Sequence, residues 1–157
     1  GDRQGQRNLL YANNGDGTFS SSSSTANLPT SATVHLSARW GDFDGNGSPD
    51  LYMTDGFGYG NLLFKNNTAS SRFIHIDVDG KGGADGGTNR SAFGAKVRLF
   101  NAADEVVGYR YVDDVAGISF GVDEGEIYSI EVNFPGSSPA VTLSGLQGGD
   151  ALMVVEP

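Results

Sequence analysis

Oxygen-bearing residues alternate with spacers in one short acidic segment, residues 42–50. The candidate metal ligands at its odd positions are Asp42, Asp44, Asn46, Ser48 and Asp50. Ca²⁺ takes about six to eight oxygen ligands, and a loop that alternates ligand with spacer can wrap around it. The seventh position normally contributes its backbone carbonyl, so the identity of Ser48 should matter little for ligation. The spacing therefore predicts a calcium site.

An Asx-rich turn between two strands is the simpler alternative for this segment. Three aspartates in strict alternation would, however, repel one another unless a cation lay between them. Gly45 and Gly47 supply backbone conformations that a side chain would disfavour. The glutamate at the twelfth position of an EF-hand loop is missing, since Met53 and Thr54 follow where a helix would carry it. We expect a calcium loop that lies between strands.

The composition limits which partners the chain can have. Its 157 residues carry 19 acidic and 10 basic side chains, a net charge of −9, which argues against nucleic acid or an anionic membrane as partner. Cysteine is absent, so disulfide and thiol chemistry are excluded. No apolar run approaches the ~20 residues of a membrane span, and the start at Gly1 carries no basic-then-apolar leader. We expect no membrane insertion, and either a mature secreted product or a piece of a longer protein.

A short motif occurs twice in the first half of the chain. Residues 8–14, Asn-Leu-Leu-Tyr-Ala-Asn-Asn, return at residues 61–67 as Asn-Leu-Leu-Phe-Lys-Asn-Asn. A repeat at this distance is typical of propeller-like architectures. Between the copies the pattern predicts a turn at residues 14–17, a strand with Val34, Leu36, Ala38 and Trp40 on one face, and a strand at residues 51–53.

From about Arg72 onward, apolar and polar residues alternate with no helical period, which predicts strands with one buried and one wet face. The expected buried residues are Ile74, Ile76 and Val78, then Phe93, Ala95, Val97 and Leu99, then Tyr128, Ile130, Val132 and Phe134. Shorter strands are expected at residues 106–112, 118–122, 141–143 and 151–155. The predicted fold class is all-β, with a propeller-blade-like calcium-binding repeat at residues 1–69 and a C-terminal antiparallel β-sandwich at residues 70–157.

These residues carry a resemblance to known families. Residues 8–19 and 41–52 resemble the FG-GAP/VCBS repeat, whose blades in integrin-type propellers hold Ca²⁺ in such a loop. Residues 88–97 and 130–136 are similar to motifs of the UnbV/ASPIC domain, which follows these repeats. The resemblance implies an extracellular, calcium-stabilised, non-catalytic module that acts in adhesion or assembly.

A single repeat cannot satisfy its own sheet edges, because an open edge is a row of unpaired N–H and C=O groups. Either the chain is the C-terminal piece of a larger propeller protein, or its open edge takes a strand from another copy or from a neighbouring extracellular protein. The candidate donor strand is Arg7, Asn8, Leu9, Leu10, Tyr11, Ala12 and Asn13. The second reading predicts a surface or extracellular fibre.

Other signals are weaker. Asn66 and Asn89 stand in N-glycosylation sequons. Exposed aromatics, among them Tyr109 and Tyr111, could stack on sugar rings or pack at an interface. The second functional hypothesis is therefore a carbohydrate- or protein-binding accessory module at the C-terminus of a larger secreted propeller protein. Residues 77–85 mimic a second calcium loop, although Lys81 stands where a ligand is wanted. Nothing in the sequence places a serine nucleophile or an oxyanion donor beside His35 or His75, and we expect no enzyme activity.

Overall fold

The computed structural model of the chain describes residues 8–23, 28, 35–56, 58, 60–83, 87–113, 117–136 and 138–157. Within these ranges the fold is all-β, as predicted, and one short 3₁₀ turn at Ser70–Arg72 is the sole helical element. The strands are β1 (Tyr11–Asn13), β2 (Phe19–Ser21), β3 (His35–Gly41), β4 (Asp50–Asp55), β5 (Leu62–Phe64), β6 (Phe73–Asp79), β7 (Lys96–Phe100), β8 (Val106–Tyr111), β9 (Ile118–Gly121), β10 (Tyr128–Asn133), β11 (Val141–Leu146) and β12 (Ala151–Val155).

Two sheets built from the second half of the chain enclose the main core. One has the order β11-β10-β7-β8 and is antiparallel throughout, and the other has the order β12-β6-β9. The inward residues of both sheets belong to one buried cluster that includes Ile76, Val97, Phe120, Ile130 and Val154. Burial alternates along β6 and β10 as the sequence predicts, because successive side chains of a strand point to opposite faces.

Two details differ from the expected sandwich. Strand β12 runs parallel to β6, with Ala151 opposite His75, so the sheets are not all antiparallel. The strand expected from Phe93 begins instead at Lys96, and Phe93 is 45% exposed. The chain bends before that strand, where Ala92 and Gly94 have φ of 50° and 91°, conformations that a regular strand does not use.

The first half of the chain forms a two-stranded sheet, β1-β2, and a three-stranded sheet, β3-β4-β5. In the hairpin, Asn13 lies opposite Phe19, and the turn predicted at residues 14–17 joins the strands. Strand β3 places Leu36, Ala38 and Trp40 on one face as predicted, and all three are exposed. Val34, the other residue predicted for this face, lies outside the described residues. Buried apolar side chains in this half include Leu51 and Met53 of β4.

Contact clustering divides the chain into two compact units. One consists of residues 1–39 and 52–64, and the other of residues 40–51 and 65–157. The second unit holds the sandwich together with the acidic loop between β3 and β4. The division at residue 69 stays a prediction. No helix in the part of the chain described by the structure is long and apolar enough to cross a membrane.

Candidate metal centre

The loop between β3 and β4 gathers three carboxylates. Oxygens of Asp42, Asp44 and Asp50 all lie within 4.8 Å of one another. Asp44 is exposed, Asp42 is half-buried and Asp50 is 2% exposed. Three negative charges at this separation repel one another strongly, so the arrangement favours a bound cation.

Backbone amides of the loop hold the carboxylates in place. The N–H of Phe43 donates to Asp50 Oδ2 at 3.0 Å, and the N–H of Gly47 donates to Asp42 Oδ2 at 2.8 Å. The N–H of Asn46 lies 3.0 Å from Asp42 Oδ1 and 3.2 Å from Asp44 Oδ1. The loop therefore turns its own backbone donors toward the acids.

Gly47 explains why the loop can close. Its φ is +84°, a left-handed conformation that side chains rarely adopt, and a Cβ at this position would lie 2.8 Å from Ser70 Cβ. Both the backbone conformation and the space thus require glycine. Gly45, with φ of +71°, meets the first of these conditions and lies in open space.

The remaining two predicted ligands, Asn46 and Ser48, make different hydrogen bonds. Asn46 Oδ1 accepts a hydrogen bond from the N–H of Ser48 at 2.8 Å, which orients the amide within the loop. The hydroxyl of Ser48 is buried and donates to the carbonyl of Thr68 at 2.6 Å. The side chain of Ser48 thus ties the loop to the chain that follows β5, and ligation by its backbone carbonyl stays a prediction.

Asn66 anchors the loop from outside, a role that the sequence analysis missed. Its N–H donates to Asp50 Oδ1 at 2.7 Å, and its Nδ2 donates to the carbonyl of Pro49 at 3.0 Å. Its own Oδ1 accepts the N–H of Thr68 at 3.0 Å. The repeated heptapeptide was the available signal, because Asn66 belongs to its second copy.

Lys65 brings a positive charge to the carboxylates. Its ammonium forms an ion pair with Asp44 Oδ2. The hydrogen bond from Lys65 is the main cause that lowers the pKa of Asp44, and the same bond raises the pKa of Lys65, with the charges of Asp50 and Asp42 adding to it. A positively charged side chain of the same protein therefore already lies beside these carboxylates.

The donor set fits a hard cation. Carboxylates and an amide oxygen are the ligands that Ca²⁺ and Mg²⁺ prefer, whereas Zn²⁺ favours nitrogen and sulfur. Asp42, Asp44, Asn46 and Asp50 would supply side-chain oxygens, and Ser48 a carbonyl. A loop that combines side-chain oxygens with a backbone carbonyl suits the flexible coordination of Ca²⁺ better than the strict octahedron of Mg²⁺.

The second acidic segment, the glycosylation sequons and the proposed donor strand were the other candidate sites. Asp77 and Asp79 of the segment that mimics a calcium loop join no comparable cluster among the described residues, and Asp85 lies outside them. Asn89 is exposed, and its Oδ1 accepts the N–H of Phe93 at 3.1 Å. Glycosylation of Asn66 and Asn89 stays a prediction. In the proposed donor strand, Arg7 lies outside the described residues.

His75 has polar neighbours that the sequence pattern does not place beside it. His75 Nδ1 lies 3.0 Å from Ser119 Oγ, and His75 Nε2 lies 3.5 Å from Asp77 Oδ1. The antiparallel register of β6 and β9 places His75 opposite Ser119, and Asp77 follows on the same face. The sequence could not show this cross-strand pair. The absence of enzyme activity stays a prediction.

A second buried carboxylate was also missed. Glu156 is 3% exposed, and its Oε2 accepts the N–H groups of Lys81 and Thr88, both at 2.9 Å, and the hydroxyl of Thr88 at 2.8 Å. Its Oε1 accepts the hydroxyl of Ser138 at 2.5 Å. These bonds, led by that from Ser138, lower the pKa of Glu156 to about 2. Glu156 therefore holds the two ends of the glycine-rich segment between β6 and β7.

Comparison with protein families bears on the acidic loop. The family profile described as FG-GAP-like repeat matches residues 2–53. This part of the chain is similar to an FG-GAP-like repeat. The match includes the whole acidic loop, while the anchors Lys65 and Asn66 follow it. It does not reach residues 70–157, so the resemblance of that part to the UnbV/ASPIC domain stays a prediction. No curated protein and no solved structure gives a significant match.

Proposed function

We propose that this chain is a non-enzymatic, extracellular calcium-binding structural module that assembles head to tail by strand addition into a surface or extracellular fibre. The observation that supports calcium binding best is the grouping of Asp42, Asp44 and Asp50 in a loop that lies within the FG-GAP-like repeat. FG-GAP-like repeats are typically extracellular and often bind calcium, which agrees with this proposal.

Calcium would act through stability. Ca²⁺ binds the folded loop and not the open chain, so it adds RT ln(1 + [Ca²⁺]/Kd), about 2.7 kcal/mol at a hundredfold excess over Kd. Extracellular modules bind calcium with Kd of roughly 10⁻⁴–10⁻³ M, which suffices where calcium is millimolar. Isothermal titration calorimetry of the chain with Ca²⁺ tests this step directly. The Asp50→Asn variant is the matched control, because it keeps the side-chain shape and removes one charge. If both proteins bind equally, the loop is not the calcium site.

The exposure of the N-terminal hairpin supports strand addition. In the part of the chain that the structure describes, β1 pairs with β2 and with no other strand. Leu9, Tyr11 and Phe19 on this hairpin are 64%, 54% and 64% exposed. A strand with a free edge and uncovered apolar side chains is ready to join a further sheet.

The two copies of the heptapeptide motif suggest how subunits would join. Asn13 Oδ1 accepts the N–H of Gly15 at 2.9 Å, which reproduces the turn made by Asn66 and Thr68. Asn66 also closes the loop at Asp50, and we infer that Asn13 would close the corresponding loop of a neighbouring copy or blade. Strand exchange would then be coupled to calcium occupancy.

Negative-stain electron microscopy tests assembly. We expect ordered filaments at about 2 mM calcium, the level that weak extracellular sites require, and their loss in chelator. A chain that lacks residues 1–13 should remain dispersed in calcium while it still binds the ion. Dispersed particles of the intact chain under both conditions would contradict the fibre and favour an accessory module at the C-terminus of a larger secreted propeller protein.

A further inference from the structure

We propose that a groove in the second compact unit, defined here as the Trp40–Tyr111 groove, binds a neutral saccharide chain. The groove is a cleft of about 480 Å³, within the size range of small-ligand sites. Its aromatic walls are Trp40, Phe73 and Tyr111, and its polar groups include Asn66, Arg110 and Ser119. None of its lining residues belongs to the hairpin proposed for assembly, so the two proposals can fail independently.

The aromatic rings are presented to solvent. Trp40 is 52% exposed and Tyr111 is 53% exposed, although both belong to strands, where aromatic side chains usually pack inward. The ring of Tyr111 packs edge-to-face against the ring of Tyr109, with a distance of 5.1 Å between the ring centroids. A fixed ring with a free face suits the C–H face of a sugar, because the negative ring face attracts the weakly positive C–H groups.

Gly121 keeps the floor of the groove open. It ends β9 opposite Phe73 of β6, its φ is not in the left-handed region, and a Cβ there would meet nothing within 4 Å. Neither backbone conformation nor packing therefore requires glycine at this position. Glycine in a strand with space above it is typical of a place where a ligand approaches the backbone closely.

The polar groups of the groove are oriented in advance. Ser119 Oγ lies 3.0 Å from His75 Nδ1, so the hydroxyl has a fixed partner. The Arg110 guanidinium lies 5.5 Å from the centre of the Phe120 ring and donates to the carbonyl of Tyr109 at 2.9 Å. Donors and acceptors held beside exposed rings are what hydroxyl-rich ligands need, because their hydroxyl groups exchange hydrogen bonds with water for bonds with the protein.

The charge of the groove favours a neutral ligand over a polyanion. Arg110 is balanced by Asp113 on the same lining, and the whole chain carries a net charge of −9. An anionic polysaccharide would be repelled at long range, whereas a neutral one would not. Pro49 and Asn66 form part of the wall and are joined by the hydrogen bond from Asn66 Nδ2, so the acidic loop supports one side of the groove.

Fluorescence gives a direct test, because Trp40 is the single tryptophan of the chain. The probes are neutral cello-, xylo-, manno- and chito-oligosaccharides, titrated in calcium buffer. We expect at least one series to change the emission of Trp40 saturably. Tyr111→Ala should weaken that binding by about tenfold or more, and Gly121→Val should abolish it. Because a Cβ at Gly121 meets open space, this variant should keep the wild-type Tm within a few degrees.

Phe93→Ala is the matched control, since Phe93 is an exposed aromatic outside the groove. It should bind the same oligosaccharide as tightly as the wild type does. The proposal is overturned if no series binds to a chain that binds calcium normally, or if Gly121→Val and Tyr111→Ala bind like Phe93→Ala. Saturable binding of unstructured peptides without any saccharide binding would assign the groove to a protein partner and also overturn it.

Discussion

Two buried carboxylates each tie a loop to the second compact unit, and they do so in different surroundings. Asp50, 2% exposed, accepts two backbone N–H groups and lies beside two further aspartates. Glu156, 3% exposed, accepts two backbone N–H groups and two hydroxyls, and its hydrogen-bond partners are neutral donors. The number of donors around a buried charge therefore decides whether the protein can hold it alone or gains from a cation.

Replacement of Asp50 by alanine should give the largest effect. The change removes the oxygens that accept the N–H groups of Phe43 and Asn66 and removes a proposed calcium ligand, which together should cost about 3 to 5 kcal/mol in calcium buffer. Urea unfolding monitored by circular dichroism measures this. Glu126→Ala removes an exposed acid elsewhere and is the control. If Asp50→Ala costs the same in calcium as in chelator, Asp50 acts through its hydrogen bonds alone.

Removal of calcium from the unchanged chain should have the next largest effect. A chelator should lower the free energy of unfolding by about 2.7 kcal/mol when the initial calcium is a hundredfold above Kd. Hydrogen exchange measured by mass spectrometry should speed up at residues 42–50 and 65–68. Residues 80–83 and 87–88, which Glu156 holds, should exchange at unchanged rates. Equal acceleration in both loops would contradict the prediction that calcium stabilises the Asp50 loop and not the loop held by Glu156.

Acid should reduce the stability that ionised Glu156 contributes by holding the glycine-rich segment between β6 and β7, which we call the Glu156 loop. The pKa of Glu156 in the folded chain is lowered to about 2 from its ordinary value of 4.5, so its contribution is complete above pH 4.5 and is lost as pH falls toward 2. Between about pH 6 and pH 3.5 only part of it should disappear, a smaller effect than chelation. The test is the urea midpoint against pH for the wild type and Glu156→Gln, both in chelator.

Glu156→Gln should be less stable at neutral pH, because its amide cannot accept as many hydrogen bonds. Its midpoint should also fall less steeply below pH 4.5 than that of the wild type, since one titrating carboxyl is gone. Parallel curves for the two proteins would show that the acid sensitivity arises from other groups, such as Asp44, whose pKa Lys65 lowers.

Sequence patterns predicted the parts of this molecule that depend on local spacing. The alternation from Ile74 to Val78 gave a strand with the correct buried face, and the alternation in residues 42–50 gave the carboxylate cluster. Both follow from the fixed geometry of consecutive residues. The turn between β1 and β2 was equally local, because glycine and asparagine select it.

Contacts between distant residues could not be predicted in this way. Glu156 meets Thr88 only because β12 runs parallel to β6, a pairing that no local pattern encodes. Ser119 reaches His75 through the register of β6 and β9. Asn66 was read as a glycosylation candidate because its sequon is local, whereas its bonds to Asp50 and Pro49 depend on the folded loop.

Lys65 offers the smallest test of the comparison between the two carboxylate loops. It places a positive charge beside the acidic loop, whereas the hydrogen-bond partners of Glu156 are neutral, and a substitution to glutamine removes that charge. Its ammonium pairs with Asp44 and is exposed, so the pair contributes little to stability. The same charge would compete with Ca²⁺ for the carboxylates at the proposed site. Lys65→Gln should therefore bind Ca²⁺ about two- to fivefold more tightly by calorimetry, and Lys96→Gln, which removes a lysine from β7, should not. Weaker binding in Lys65→Gln would mean that the lysine positions Asp44 for the metal, and the acidic loop would then resemble the Glu156 loop in relying on its own donors.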